Sequence, residues 1–346
     1  MLAGSVRQEA PGREAAGAEE ADLGGVSQIV RNAILILLLL AGGLPPAAAA
    51  LPPGEPTPAH AGQQKTFQAP EQAVAALINS LRTNDKTEMA AVLGPGSERV
   101  ISSGDPYADQ IQLHKFLEAY DTKHALVPDG DHLLLDVGPN DWPLPIPLMK
   151  TSEGWRFDTE AGAQEVINRR IGRNEIGAIR TCLAYVDAQQ DYFELFKQVT
   201  GQGAYAQRLV STPGNYDGLY WPPAEGIPNS PLEPLVSRAI EEGYPGETVG
   251  GKPTPYYGYL YRILTAQGPN APEGAMNYIQ NGKMTRGFAL LAWPASYGNS
   301  GVMTFQVNQD GIVFQKDLGP ETAKRASEIM RFDPDFSWAR VDITPE

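Results

Sequence analysis

Cysteine and histidine, the residues that most often build disulfides and metal sites, are scarce in this sequence. It has one cysteine, Cys182, and four histidines, at positions 60, 114, 124 and 132. One cysteine cannot pair within its own chain, so the fold must be stable without an internal disulfide. The histidines are too few and too widely spaced for a histidine-based metal site. We therefore expect no metal and no cofactor.

Positive charge is also in short supply. The 27 lysine and arginine residues stand against 41 acidic residues and give a formal net charge of −14. A chain this acidic repels the phosphates of nucleic acids, and no stripe of basic residues offsets that repulsion. We therefore expect no nucleic-acid partner.

Long apolar segments are scarce, and the most apolar one is short for a membrane helix. Residues 33–44 (AILILLLLAGGL) follow Arg31 and number fewer than the roughly twenty that a membrane helix needs. Residues 45–50 (PPAAAA) then supply the small residues of a signal-peptidase site. This pattern predicts an export signal within residues 1–50, a mature chain starting near Leu51, a periplasmic or secreted protein, and no stable membrane anchor after cleavage.

The first 25 residues are acidic, although export signals usually begin with a basic region. Two explanations remain open. Either translation begins at Val26, or the chain carries an unstructured N-terminal extension.

The rest of the chain has the composition of a globular protein. Residues are 42% hydrophobic and 20% charged overall, and residues 51–346 are long enough for two domains. Residues 51–66 are rich in proline and polar residues, which predicts a linker before the first domain.

In the first half of the chain, the patterns predict helices followed by strands and a closing helix, which is an α+β order. Helices are expected at residues 70–84, 88–93, 112–125 and 162–170, and strands at 132–137, 144–149 and 155–158. The phrase Gly154-Trp155-Arg156-Phe157 resembles a strand ending of the nuclear-transport-factor-two-like superfamily. The resemblance implies a cone-shaped α+β domain over residues 67–172, with helices closing over a curved antiparallel sheet.

The second half of the chain predicts one long helix against an antiparallel sheet. Asn174 is a favourable N-cap for a helix that continues to Phe193. A long irregular insertion at 199–250, with a short helix at 231–242, precedes strands at 256–264, 287–293, 302–307 and 311–316. Residues 308–311 (NQDG) predict a hairpin turn. The phrases Gly258-Tyr259-Leu260-Tyr261 and Gly311-Ile312-Val313-Phe314 resemble those of pilin and pseudopilin heads. The resemblance implies a pilin-head-like α+β domain over residues 173–346.

Several short phrases spread along the chain resemble an exported bacterial family designated domain of unknown function 2950. They are residues 102–106 (SSGDP), 140–143 (NDWP), 169–175 (RRIGRNE), 206–209 (AQRL), 218–221 (GLYW) and 264–269 (LTAQGP). The resemblance spans nearly all of residues 67–333. It implies an exported bacterial protein and assigns no activity.

Candidate catalytic and metal sites have simpler explanations as turns. Ser102 and Ser103 near His114, and the segment 299–301 (NSG), are typical of turn chemistry. The carboxylates at 129–131 and 333–335 lack the alternating oxygen ligands of a calcium loop. Cys182 lies on a helix beside its apolar stripe and is expected to be covered. We therefore predict no catalytic, cofactor-binding or metal-binding residue.

Aromatic residues are the more suggestive feature. They offer a large contact area with a polar tip, which suits a surface for an envelope protein, a peptide or a glycan. Alternatively, they pack irregular chain onto the sheets. The candidate ligand or partner surface comprises Tyr120, His124, Trp142, Trp155, Tyr220, Trp221 and Tyr257.

Two functions follow from these features. The first is an exported, non-catalytic binding or assembly protein of the bacterial cell envelope. The alternative is a periplasmic, hydrolase-like enzyme that uses a pocket in the N-terminal domain. We favour the first, because the sequence predicts an export signal and no catalytic constellation is recognisable in it.

Overall fold

The computed structural model describes residues 64–244 and 254–342, which combine helices with antiparallel sheets. This confirms the predicted α+β class. The predicted export signal in residues 1–50 lies outside the described residues, as do residues 51–63 of the predicted linker and residues 245–250 of the predicted insertion.

Most of the helices lie in the first half of the chain, and most of the strands lie in the second half. The helices are α1 (Pro70–Arg82), α2 (Lys86–Leu93), α3 (Glu98–Ile101), α4 (Pro106–Thr122), α5 (Thr159–Thr200), α6 (Glu233–Glu241) and α7 (Thr322–Glu328). The strands are β1 (His124–Asp129), β2 (His132–Val137), β3 (Trp142–Pro143), β4 (Leu148–Thr151), β5 (Gly154–Phe157), β6 (Tyr259–Leu264), β7 (Ala266–Gln267), β8 (Met276–Asn277), β9 (Ile279–Gln280), β10 (Lys283–Met284), β11 (Ala289–Pro294), β12 (Met303–Asn308), β13 (Phe314–Asp317) and β14 (Ala339–Arg340).

A sheet in the first half of the chain packs against α1. Its strands run antiparallel in the order β1-β2-β4-β5, and β3 pairs with β2. Pro70 begins α1, where its missing N–H leaves no helical hydrogen bond unmade. Leu77 and Ile78 lie on the buried face of α1, in one hydrophobic cluster with Leu148 and Phe157 of the sheet.

Helix α4 starts before the predicted position at Gln112. Asp105 caps it, because its Oδ1 accepts hydrogen bonds from the backbone N–H groups of Tyr107 (3.2 Å) and Ala108 (3.0 Å). Pro106 occupies the first helical position, which suits its fixed φ. The Asp-Pro pair therefore begins α4.

Helix α5 runs without interruption over 42 residues, from Thr159 to Thr200. The predicted helix end at Arg170 and new start at Asn174 are wrong. The segment contains no proline, and the side chain of Asn174 donates to Ser300 O (2.9 Å), so it does not cap a helix. Although α5 is long, no described helix is both long and apolar enough to cross a membrane.

A five-stranded antiparallel sheet in the order β14-β13-β12-β11-β6 forms the centre of the second half. Four of its strands lie close to the predicted ones, and the hairpin between β12 and β13 turns at the predicted residues 308–311. β11 and β12 are almost entirely buried, and α5 packs against both. The predicted helix in the insertion corresponds to α6.

Two hydrophobic clusters account for the packing of the described residues. One is built from α1, α2 and the first sheet, and the other from α5 and the second sheet. Helix α5 crosses the boundary predicted between residues 172 and 173 and contributes to both clusters. The independence of the two modules stays a prediction.

Candidate functional site

A cavity of about 620 Å³ lies in the first half of the molecule, between α4, the sheet and the first part of α5. Sites for small molecules are typically clefts of about 300–1,000 Å³, so this volume suits a ligand of drug-like size. Its walls come from α1, α2, α3, α4, β2, β3, the segment 144–146 and α5.

Most of the cavity wall is apolar. Leu77, Leu93, Val137 and Ile146 are buried side chains that close its base. Helix α4 contributes apolar side chains as well, yet none of its 17 residues is fully buried. A helix with apolar residues but no buried ones is incompletely packed, and the cavity is the space that α4 leaves unfilled.

The loop before α4 is fixed by two carboxylates. The side chain of Asp109, which lines the cavity, accepts from the backbone N–H of Ser103 through both oxygens (3.0 and 3.2 Å). Asp105 caps the helix with one oxygen, and its Oδ2 accepts from Gly258 N (2.9 Å) and Tyr244 Oη (3.1 Å) in the second half of the chain. These contacts tie the wall of the cavity to Tyr244 and to Gly258, the residue before β6.

The Asp105 carboxyl is completely buried. Burial raises its pKa, and the hydrogen bonds from Ala108 N, Gly258 N and Tyr244 Oη act in the opposite direction. This buried carboxylate accepts hydrogen bonds from four donors and so stabilises the fold. Without it, each donor would be left without a partner in a region that excludes water.

The α5 wall of the cavity carries three arginines. Arg170 is buried, and its guanidinium donates to Arg99 O (2.6 Å), Val100 O (2.7 Å) and Asn299 Oδ1 (2.7 Å). Burial lowers the pKa of Arg170, and the nearby charge of Asp109 raises it again in part. Arg170 therefore joins α3, α5 and the loop at Asn299, and its hydrogen bonds are committed to the protein.

Arg169 and Arg173 flank Arg170, and their hydrogen-bond donors are only partly used by the protein. Arg169 Nε donates to Glu165 (2.6 Å), and its guanidinium lies 5.3 Å from the centre of the Trp142 ring. Its Nη1 is covered and has no hydrogen-bond partner in the structure. Both residues line the cavity, one helical turn apart.

Arg173 is the most available of the three arginines. Its side chain keeps accessible surface although protein surrounds it, as expected for a residue that lines a cavity. Burial, followed by the charge of Arg170, lowers the pKa of Arg173, whereas Tyr244 and Tyr257 act in the opposite direction. Arg173 makes no hydrogen bond or ion pair with a residue in 64–244 or 254–342.

Tyr257, one of the predicted surface residues, lies beside this arginine cluster in a strained backbone conformation. Its φ is 49°, a left-handed value that is rare for a bulky residue. Its ring packs on Gly177 of α5, where an added Cβ would come within 2.5 Å, and its hydroxyl pairs with Glu242 (3.2 Å). The neighbouring Gly258 also has a positive φ, and a Cβ there would meet Asn174 at 2.5 Å.

Of the seven predicted surface residues, Trp142 lines the cavity. Tyr120 and His124 stack on each other, with ring centres 3.8 Å apart, where α4 leads into β1. Trp155 pairs with Phe67 through its backbone, and Lys150 lies over its ring. None of these last three aromatic side chains is part of the cavity wall.

Tyr220 and Trp221 lie in the insertion after α5. Trp221 is 4% exposed, and its indole N–H donates to Pro228 O (2.9 Å). Tyr220 is half-buried against the same hydrophobic cluster. Here the two aromatic residues pack irregular chain onto the core, which agrees with the alternative hypothesis drawn from the sequence. The seven residues do not form one continuous surface, and their role in binding stays a prediction.

Sequence reasoning missed the arginines as site residues. In the sequence, the segment 169–175 (RRIGRNE) indicated only the family resemblance. Three arginines within five residues are unusual in so acidic a chain, and this cluster could have indicated a site. Cys182 is fully buried, as predicted, and burial raises its pKa to about 12. Within the described ranges, no group of histidine, cysteine and acidic residues is arranged to hold a metal ion.

Comparison with known proteins agrees with the phrases found in the sequence. The model of a family described as "Protein of unknown function (DUF2950)" matches residues 64–341. No curated protein and no solved structure matches the chain, so the likeness of its halves to nuclear-transport-factor-two-like domains and pilin heads stays a proposal. With four-fifths of its length matched, the chain belongs to the DUF2950 family of proteins of unknown function.

Proposed function

We propose that this chain is an exported, non-catalytic binding protein of the bacterial cell envelope, and that the cavity beneath α4 holds an apolar small ligand. The observation that carries the proposal is the cavity itself, about 620 Å³ in volume and walled mainly by apolar side chains. An apolar ligand that displaced water from these walls would gain roughly 25 cal/mol for each Å² of apolar surface removed from water.

The packing of α4 supports this assignment. Leu113 and Phe116 lie half-buried on its cavity side, whereas the apolar face of α1 is buried in the core. Helix α4 is nevertheless held firmly at its start by the cap and tertiary contacts of Asp105. A wall that is anchored but unfilled suits a preformed binding site, because the ligand supplies the missing packing.

The cellular location is part of the proposal and rests on the sequence. The apolar run at 33–44 and the small residues at 45–50 favour cleavage near Leu51 and a periplasmic or secreted protein. A cone-shaped domain at 67–172 and a pilin-head-like domain at 173–346 would suit binding and contact with an envelope protein, a peptide or a glycan.

Binding can be tested on the full chain with the neutral fluorescent probe N-phenyl-1-naphthylamine. We expect saturable binding, and we expect Ala108→Trp, which places a large ring in the cavity, to weaken it at least about tenfold. The matched control is Ala161→Trp on the exposed face of α5. Circular dichroism melting checks that both variants fold. Absence of saturable binding to the native chain would overturn the proposal.

The enzyme alternative is tested with the same two variants in a second experiment. The chain is incubated with an apolar ester, p-nitrophenyl decanoate, and the recovered compound is identified by mass spectrometry. A binding protein returns the ester intact. Hydrolysis that Ala108→Trp abolishes and Ala161→Trp preserves would replace the proposed function with the enzymatic one.

A further inference from the structure

We infer that the ligand of the cavity is an anionic amphiphile whose acidic group binds Arg173 and Arg169. This inference rests on the proposed function and adds the chemical class of the ligand. Its apolar part would lie against α1, α4 and the sheet, and its acidic group against the α5 wall.

The charge of the cavity wall is opposite to that of the whole chain. Its lining includes the cations Lys86, Lys115, Arg169, Arg170 and Arg173, and a single acidic residue, Asp109. The chain as a whole carries a formal net charge of −14. Clefts lined by one sign of charge within an apolar wall concentrate the electric field, and this one attracts anions.

The hydrogen-bond donors of the arginines are unequally used. Arg170 gives its donors to two backbone carbonyls and to Asn299. Arg173 has no partner within residues 64–244 and 254–342, and Arg169 Nη1 is covered without one. A planar guanidinium with free donors matches the geometry of a carboxylate or a phosphate, which binds it through two parallel hydrogen bonds.

The spacing of these arginines adds a second reason. Like charges four residues apart on a helix repel each other, and here a third guanidinium lies between them in the sequence. Burial and the neighbouring cation Arg170 already disfavour the charged form of Arg173, so its pKa is lowered. An anion bound between Arg169 and Arg173 would remove this repulsion and satisfy their donors together.

The apolar wall excludes a small inorganic anion as the whole ligand. Leu113 and Phe116 of α4, with Leu81 of α1, line the cavity and offer no hydrogen bond to water or to an ion. Removing water from these side chains is favourable only if an apolar group of the ligand takes its place. A molecule with one acidic end and one apolar end satisfies both walls.

The inference is tested by isothermal titration calorimetry of the full chain with four ligands of equal chain length, each below its aggregation limit. These are decanoate, decyl phosphate, decanol and decyltrimethylammonium, and acetate serves as the head-group control. We expect decanoate or decyl phosphate to bind at least about tenfold more tightly than decanol, because charge-assisted hydrogen bonds discriminate by that order. The comparison of the two anions identifies the acidic group.

Variants assign the selectivity to Arg173. Arg173→Gln should lose about tenfold in affinity for the anion and keep its affinity for decanol, whereas Arg173→Lys should retain most of the preference. The matched control is Arg180→Gln, an exposed arginine further along α5 that does not line the cavity. An equal loss in Arg173→Gln and Arg180→Gln would overturn the assignment.

The two proposals fail differently. If decanol binds as tightly as the anions, the anionic class is wrong and the apolar cavity of the proposed function stands. If decyltrimethylammonium binds best, the charge assignment is wrong in sign. If none of the four ligands binds although N-phenyl-1-naphthylamine does, this inference is overturned and the proposed function stands. If N-phenyl-1-naphthylamine does not bind either, both are overturned. Binding of acetate as tight as that of decanoate would leave no role for the apolar wall and would also contradict the inference.

Discussion

At the scale of single residues, Asp105 connects parts of the molecule that are far apart in the sequence. One of its oxygens caps α4, and the other accepts from Tyr244 and Gly258. The same carboxylate therefore sets where the cavity wall begins and how it meets the second sheet. An isosteric amide cannot replace it, because an amide presents a donor where the carboxylate has an acceptor.

Replacing Asp105 with asparagine should destabilise the chain by about 1–3 kcal/mol, since the amide Nδ2 would face the N–H of Gly258. Urea unfolding followed by circular dichroism measures this change. The matched control is Asp85→Asn, because Asp85 caps α2 by accepting a single hydrogen bond from Glu88 N, and asparagine is an equally good cap. Equal, small changes in both variants would show that the second oxygen of Asp105 contributes little.

At the scale of elements, α5 differs most from the prediction. Asn174 has the right residue type for an N-cap, but its amide is used across space, on Ser300. Glu175 likewise accepts from the backbone N–H groups of Val302 (2.9 Å) and Met303 (3.0 Å). Local preference predicted a new helix at this point, and tertiary contacts turned the same residues into the junction between the two halves.

Two glycines of α5 test its continuity. Gly172 has open space where a Cβ would be added, so Gly172→Ala should stabilise the chain by about 0.5–1 kcal/mol, as in any helix interior. Gly177→Ala is the matched contrast on the same helix, because the new Cβ would lie 2.5 Å from the ring of Tyr257. Gly177→Ala should lower the free energy of unfolding by about 1–3 kcal/mol, as overpacking typically does.

Denaturant unfolding of both glycine variants, with the native chain as reference, gives the two changes in free energy. A destabilising Gly172→Ala would indicate that the helix is interrupted between Arg170 and Asn174, the predicted helix end and helix start. A harmless Gly177→Ala would show that the Tyr257 ring moves freely.

The elements that sequence patterns predicted well are those defined by local rules. The NQDG turn between two predicted strands located the β12–β13 hairpin, and the helical spacing of Val74, Leu77, Ile78 and Leu81 located α1. The cavity could not be predicted in this way. Its walls come from residues between 77 and 174, and Arg173 is distinguished from Arg180 only by what the fold places around it.

At the scale of the whole molecule, the cavity lining and the chain as a whole carry charge of opposite sign. The chain is strongly acidic, whereas the lining of the cavity is basic. If the proposed anion binds in the cavity, the basic lining would attract it, while the net negative charge of the chain would repel other anions.

Export is the prediction for the molecule as a whole. Produced with its own N-terminal region in a bacterial host, the protein should appear in the periplasm or the medium, with an N-terminus near Leu51. N-terminal sequencing of each cell fraction measures this. A chain that is retained in the cytoplasm and begins at Met1 or Val26 would contradict it. A variant with Leu37→Arg and Leu38→Arg, which interrupts the apolar run, is the control and should stay in the cytoplasm.

The uninterrupted α5 also limits how the gene can change. One residue inserted near Gly172 would turn everything beyond it by about 100° and shift it by about 1.5 Å. Seven inserted residues would nearly restore the phase but shift the chain by about 10 Å. Either change would separate Arg170 from Asn299 or Glu175 from Val302. We therefore expect insertions and deletions in this stretch to destabilise the chain, because the contacts between the two halves depend on the length and phase of α5.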